Sequence, residues 1–121
     1  MDWKLTDDRP IWQQLTEQLT LRILKGEYPP GERLPTVREL AAQAGVNPNT
    51  MQRALAQLES DGLAVGSRTA GRTVTEDAAV IEAAAKARAR SAVAGCLAIL
   101  AELGYSRADA LVFVKEELDH E

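Results

Sequence analysis

Five aromatic side chains in 121 residues, two Trp, two Tyr and one Phe, give little ring surface from which to build a core. Packing must therefore rely on Leu, Ile, Val and Ala, which the 45% apolar content can supply. The single cysteine, Cys96, excludes an internal disulfide. Among apolar neighbours it reads as a small buried hydrophobe in a reducing cytoplasm, a reactive thiol being the alternative. The single histidine, His120, stands next to the C-terminus and is expected in solvent, with no Cys/His cluster at metal-ligand spacing, so no metal is expected. No glycine-rich loop carries a following Lys-Ser/Thr, which excludes a P-loop at Gly66–Gly71 and leaves no cofactor to expect. Glu116, Glu117 and Asp119 read as a solvated acidic end rather than paired catalytic carboxylates, so an enzyme is not expected. No run of eighteen apolar residues argues for a membrane span, and the N-terminus lacks the basic start and apolar run of a secretory signal. A cytoplasmic protein without a membrane partner is the expectation.

Positive charge is also short, with a formal net charge of −4. Its distribution matters more than its sum. Residues 1–75 hold nine Lys/Arg against nine Asp/Glu, and residues 76–121 hold five against nine. The acidic excess lies in the tail. Within 62–75, Arg68 and Arg72 stand with no carboxylate.

The chain is organised around Leu34–Leu58, where two short helices meet at the turn Ala44-Gly45-Val46-Asn47-Pro48. Thr36 followed by Glu39 is a capping-box pattern that starts the first. Gly45 can take positive φ to end it, and Val46 plugs the gap. Asn47 suits the N-cap of the second helix and Pro48 its first position, where a missing N–H costs nothing. Met51, Ala54, Leu55 and Leu58 then share one face, leaving Asn49, Gln52, Arg53 and Ala56 on the other. This is a helix-turn-helix pattern with small polar groups at the tip of its second helix.

Upstream, Trp3 and Leu5 are placed to strap a short lead-in onto the core. Asp7 or Asp8 can cap a first helix, with Pro10 in its first turn. Ile11, Leu15, Leu19 and Ile23, widened by Trp12 and Leu24, run at helical spacing through Lys25. Gly26 stops it, and Tyr28-Pro29-Pro30-Gly31 makes a rigid turn. Downstream, Asp61-Gly62 closes the motif. Leu63-Ala64-Val65 and Thr73-Val74-Thr75 flank a Gly-bounded basic tip and read as a β-hairpin. A hairpin directly after a helix-turn-helix is a wing.

From Glu76 the composition turns Ala-rich. Asp77–Leu103 predicts one long helix or two abutting ones. Asp77–Arg90 is expected as a solvated spacer, whereas Val93, Cys96, Leu97, Ile99, Leu100 and Leu103 are apolar nearly all round. Gly104 ends it. Ser106 and Asp109 form a second capping-box pattern, with Ala110, Leu111, Val114 and Leu118 on one face and Phe113 beside it. The tail thus predicts a helical hairpin too small to bury its own apolar faces. A second copy is the natural cover. The mainly α chain with a small β-hairpin therefore divides into a winged helix-turn-helix domain, residues 1–75, and a helical dimerisation tail, residues 76–121. Val93, Leu97, Leu100, Leu111, Val114 and Leu118 are its expected contacts. A tail folded back on the winged domain of a monomer is the alternative.

Pro10-Ile11-Trp12-Gln13-Gln14-Leu15, Gly26, Pro30-Gly31, Leu34–Ala41, Gly45–Met51, Arg53-Ala54, Leu58, Gly62-Leu63 and Gly71–Val74 together resemble the GntR family of bacterial transcription regulators. The resemblance covers about residues 9–75. The Asn-Pro-Asn-Thr turn and short two-helix tail resemble its YtrA-like branch, which lacks the large effector domain of other branches. This resemblance implies a homodimeric winged repressor on a palindromic operator of double-stranded DNA, in a branch often found beside ABC-transporter genes. The sequence departs at the wing tip, Ala70-Gly71-Arg72, where many relatives carry Gly-x-Gly.

On that reading the second motif helix enters the major groove N-terminus first. Asn49 and Gln52 can offer donor and acceptor together to an adenine edge. Thr50 can give its hydroxyl to phosphate or its methyl to thymine. Arg38 matches the family's DNA-reaching arginine. Arg53 can meet phosphate or pair with Glu39 or Glu59, and Asn47 can cap, contact DNA, or both. Arg68 and Arg72 are expected in or beside the minor groove, the alternative being solvated loop arginines. The implied surface comprises Thr36, Arg38, Asn47, Pro48, Asn49, Thr50, Gln52, Arg53, Arg68, Gly71, Arg72 and Thr73. A winged-helix protein-interaction module without specific DNA binding is the rival. A pocket near Tyr105 and Trp12 is the remaining place for a small-molecule effector.

Overall fold

Side-chain caps at Thr36, Asn47 and Ser106 mark the starts of three helices. The computed structural model describes residues 2–69 and 71–120. In chain order its elements are α1 Ile11–Leu24, α2 Val37–Ala44, α3 Pro48–Ser60, β1 Ala64–Ser67, β2 Gly71–Val74, α4 Ala78–Glu102 and α5 Arg107–Asp119. They group into two compact units, Met1–Glu82 and Ala83–Glu121, with α4 running through the division.

In the first unit, α1 and α2 both pack on α3, and α3 in turn packs on β1. Leu15, Leu19 and Ile23 of α1 meet a core that includes Leu40, Met51, Ala54, Leu55 and Leu58, all buried. Leu34, Leu63, Ala64 and Val74 extend that core under the hairpin. β1 and β2 are antiparallel, with Ala64 opposite Val74 and Gly66 opposite Arg72. A third stretch, unmarked in the sequence, pairs with β2. Leu34 N–H donates to Arg72 O at 2.9 Å, Val74 N–H to Glu32 O at 2.8 Å, and Gly31 N–H to Val74 O at 2.9 Å. The segment leading into the helix-turn-helix is thereby tied to the wing.

The start of α1 differs from expectation. Neither Asp7 nor Asp8 caps it: Pro10 is the N-cap residue and no side chain caps the helix. Asp8 instead accepts the Thr6 hydroxyl, which holds its carboxyl below the usual value. The lead-in is strapped down by two glutamines one turn apart on α1. Gln18 accepts Lys4 N–H at 3.0 Å and donates to Lys4 O at 2.6 Å. Gln14 does the same at Thr6, at 2.8 Å each way. Each amide thus completes a backbone pair as a neighbouring strand would. Trp3 lies 3.9 Å from the guanidinium of Arg22, a buried arginine whose Nη1 stands 3.6 Å from Glu27.

In the second unit, Gly104 (φ +93°) turns the chain and Tyr105 N–H closes back on Leu100 O at 2.9 Å. Tyr105 meets Phe113 edge-on, ring centres 4.9 Å apart. Ala110 is the one buried residue of α5. An open groove of 420 Å³, lined by Val93, Cys96, Leu97, Arg107, Ala110, Leu111 and Val114, separates the two helices. Cys96, expected inside, is exposed in the single chain. One 13-residue α5 is too short to cover the 25-residue α4, of which no residue is buried. Among the described residues, no helix is long and apolar enough to cross a membrane.

Candidate nucleic-acid interface

The outward surface of the first unit is built from three pieces: the N-terminus of α2, the N-terminal half of α3, and the wing. At α2 both halves of the capping box are made. Glu39 N–H donates to Thr36 Oγ1 at 3.1 Å, and Thr36 N–H to Glu39 Oε1 at 3.4 Å. Thr36 and Arg38 are exposed there. Gly45 closes α2 at φ +70°, a left-handed conformation costly to any residue with a Cβ. That turn sets α3 across α2.

Asn47 caps α3, its Oδ1 accepting Asn49 N–H at 2.7 Å, with Pro48 in the first turn. Asn47, Pro48, Asn49, Gln52 and Arg53 are exposed, and Thr50 is half-buried. Met51, Ala54, Leu55 and Leu58 are buried on the opposite face. The polar tip is therefore held rigid from behind by the core.

Arg53 takes neither carboxylate considered from the sequence. Its guanidinium carbon lies 4.3 Å from the ring centre of Trp12, on α1. Glu59 is occupied by Arg72, whose Nε donates to Glu59 Oε1 at 2.5 Å. Arg72, expected in or beside the minor groove, has only 21% of its side chain exposed in this pairing. Arg68, at the wing tip, is exposed, while Gly71 and Thr73 are half-buried in β2. The tip residue Ala70 lies outside the described residues. Trp12 lies on the helical stripe read from the sequence and Glu59 is one of the carboxylates offered to Arg53, but the pairings they make, Trp12 with Arg53 and Glu59 with Arg72, cross between elements and leave no periodic signal. Tyr105 and Trp12, considered for an effector pocket, each have a partner within their own unit, Phe113 and Arg53.

Such a surface can meet DNA in three ways. Amide side chains at a helix tip can read base edges. Unpaired N–H groups at a helix start can hold a phosphate, and loop arginines can enter a minor groove.

Known proteins carry the same design. Residues 12–74 match the family described as bacterial regulatory proteins, gntR family. The chain is 32% identical to the uncharacterized HTH-type transcriptional regulator YhcF of Bacillus subtilis, over 95% of each protein. It is 41% identical to the HTH-type transcriptional repressor YtrA of the same organism, over 57% of this chain and 53% of that one. Among solved structures, a GntR family transcriptional regulator from Listeria monocytogenes superposes with a TM-score of 0.85 at 32% identity, over 93% of this chain and 98% of that one. The DNA-binding domain of AraR in complex with operator ORR3 superposes with a TM-score of 0.52 at 27% identity, over 62% of this chain and 93% of the other. The match begins at Trp12, spans the helix-turn-helix and ends on the second wing strand. The chain belongs to the GntR family, with a YtrA-type repressor among its relatives: it is a DNA-binding transcription regulator of winged helix-turn-helix fold, and not an enzyme.

Proposed function

We propose that two copies of this chain, joined through residues 76–121, bind a palindromic operator and repress transcription from it in the cytoplasm. The observation that carries the reading is the exposed polar tip of α3, Asn47, Pro48, Asn49, Gln52 and Arg53, backed by a fully buried apolar face. Asn49 and Gln52 read base edges in the major groove. Thr36, Arg38, Asn47, Pro48, Thr50 and Arg53 hold the backbone or the adjoining bases. The wing addresses the minor groove with Arg68 at its tip, carried by the strand that includes Gly71, Arg72 and Thr73. Similarity to an operator-bound domain and to a named repressor supports this direction.

Pairing through the tail is supported by its exposed apolar surface. Val93, Ile99, Leu103, Leu111 and Leu118 are each 60–71% exposed in the single chain, a density that water-facing helices do not carry without a partner. Val93, Leu97, Leu100, Leu111, Val114 and Leu118 are the proposed contacts. Two identical heads on a two-fold axis read two half-sites about one helical turn apart. A small-molecule effector would act by changing that spacing, with Asp77–Arg90 as the lever.

Footprinting on the promoter of the chain's own gene, with the oligomeric state read by light scattering, tests the proposal. A protected, inverted-repeat site bound by a dimer is the expected result. A monomer, or a ladder with no sequence preference, overturns it.

A further inference from the structure

We infer that Glu59 and Arg72 form a latch fixing the wing against α3, so that Arg72 serves DNA binding as a positioning residue and not as a phosphate contact. The inference rests on the DNA-binding reading above and concerns how one part of that surface is held.

Glu59 stands in the last turn of α3 and Arg72 is the second residue of β2. Their 2.5 Å contact is a charge-assisted hydrogen bond that joins the reading helix directly to the wing. The backbone is shaped to admit it. Gly66 lies opposite Arg72 in the ladder, and a Cβ at Gly66 would stand 3.1 Å from Glu59 Oε1. The missing side chain leaves the carboxylate room on the face of the hairpin from which Arg72 extends. On the other side, a Cβ at Gly71 would lie 3.4 Å from Arg33 Nε, so a second arginine covers the first residue of the same strand. Arg33, Thr36, Glu59, Ser67, Gly71 and Arg72 line one cleft of 350 Å³ between the start of α2 and the wing.

Coverage decides the role. Only 21% of the Arg72 side chain and 35% of Glu59 are exposed, so water screens the pair less than it screens a surface pair. A phosphate approaching Arg72 would come within reach of a carboxylate already bonded to it, and like charges at that range oppose each other. Arg68, exposed at the tip, has no such neighbour within residues 62–75. Of the two wing arginines, Arg68 is the one that meets phosphate. Arg72 sets where that cation is carried.

The test uses the full-length protein, titrated by fluorescence anisotropy against the footprinted site across a range of salt concentrations. Glu59→Gln and Arg72→Met are each expected to weaken specific binding by about ten-fold (1.4 kcal/mol) while leaving the salt slope unchanged. The charge-swapped double variant Glu59→Arg/Arg72→Glu restores binding to within about three-fold, since the latch is remade with unchanged net charge. Arg68→Ala lowers the slope by about one. A swap weaker than either single variant overturns the latch, because a carboxylate placed at a phosphate contact repels DNA. So does a slope lowered by about one in Arg72→Met. Where a single variant fails to fold, the swap is judged against the wild type: binding within about three-fold supports the latch, and a larger loss overturns it. A wild-type chain with no protected site defeats the DNA-binding reading itself, whereas wild-type protection with a defective swap defeats the latch alone.

Discussion

Gln52 and Arg53 leave the same turn of α3 and meet different surroundings. Gln52 is exposed, and its spacing from Asn49 is enough to place both on the outward face. Its replacement by Ala should cost about 1–3 kcal/mol of operator binding and relax preference at a single base pair. Systematic operator variants bound to Gln52→Ala would show it, and an even loss at every position would count against base reading. Arg53 was readable as a cation but not as a stacked one. Its place on Trp12 depends on α1 crossing α3, a contact between residues 41 positions apart. Trp12→Leu should therefore cost about 0.5–1 kcal/mol of affinity through Arg53. The same substitution made in Arg53→Ala should change nothing further, and a double-mutant cycle measures that coupling. Cys96 taught the reverse lesson: apolar neighbours in sequence implied burial, but one chain alone lacks the mass to bury it.

At the scale of elements, local chemistry was the better guide. The capping box at Thr36 and Glu39, the cap at Asn47 and Pro48, the left-handed Gly45 and the second box at Ser106 and Asp109 all lie where residue types and spacing placed them. A cap is satisfied within four residues, so no distant information is needed. Gly45 is a clean probe of such local control, since a Cβ there would meet nothing within 4 Å. Gly45→Ala should destabilise the first unit by about 1 kcal/mol through backbone conformation alone. Chemical denaturation would reveal it as a lower midpoint with an unchanged slope. At α5, the backbone N–H of Ser106, and then its side chain, hold the Asp109 carboxyl below its ordinary value of 3.8. A depressed folded value means this stabilisation is complete above the ordinary value and is lost as pH falls through the depressed one. Circular dichroism on acidification should show α5 fraying in that window. Asp109→Asn, which keeps an acceptor but cannot titrate, should flatten that part of the curve. An identical curve would remove Asp109 from the acid response. By contrast, the failed cap at α1 and the strap of Gln14 and Gln18 were invisible, because the four bonds these amides make to the Thr6 and Lys4 backbone reach back 8 and 14 residues to the lead-in and follow no helical spacing.

Across the whole molecule the two units pose different problems. The first closes its own core; the second leaves the apolar sides of both helices uncovered. Leu111→Glu should turn the proposed dimer into a monomer, detected by light scattering, and operator affinity should fall with it. An insertion near Ala84, inside the spacer, should leave the dimer intact while weakening binding to the native half-site spacing. Unchanged affinity after the insertion would show that the heads are not held in register by α4. Both outcomes test geometry without altering any residue proposed to touch DNA.

The residues alone determined the helices, the caps of α2, α3 and α5, the turn between α2 and α3, the hairpin and the exposed polar tip of α3. Each follows from periodicity or from bonds that span a few positions. Only the tertiary structure decided which arginine is stacked, which is latched and which stands at the tip, and that residues 31–34 stitch the wing to the helix-turn-helix. Those outcomes depend on which side chains three packed elements bring within bonding distance, and distance through space is not written in distance along the chain.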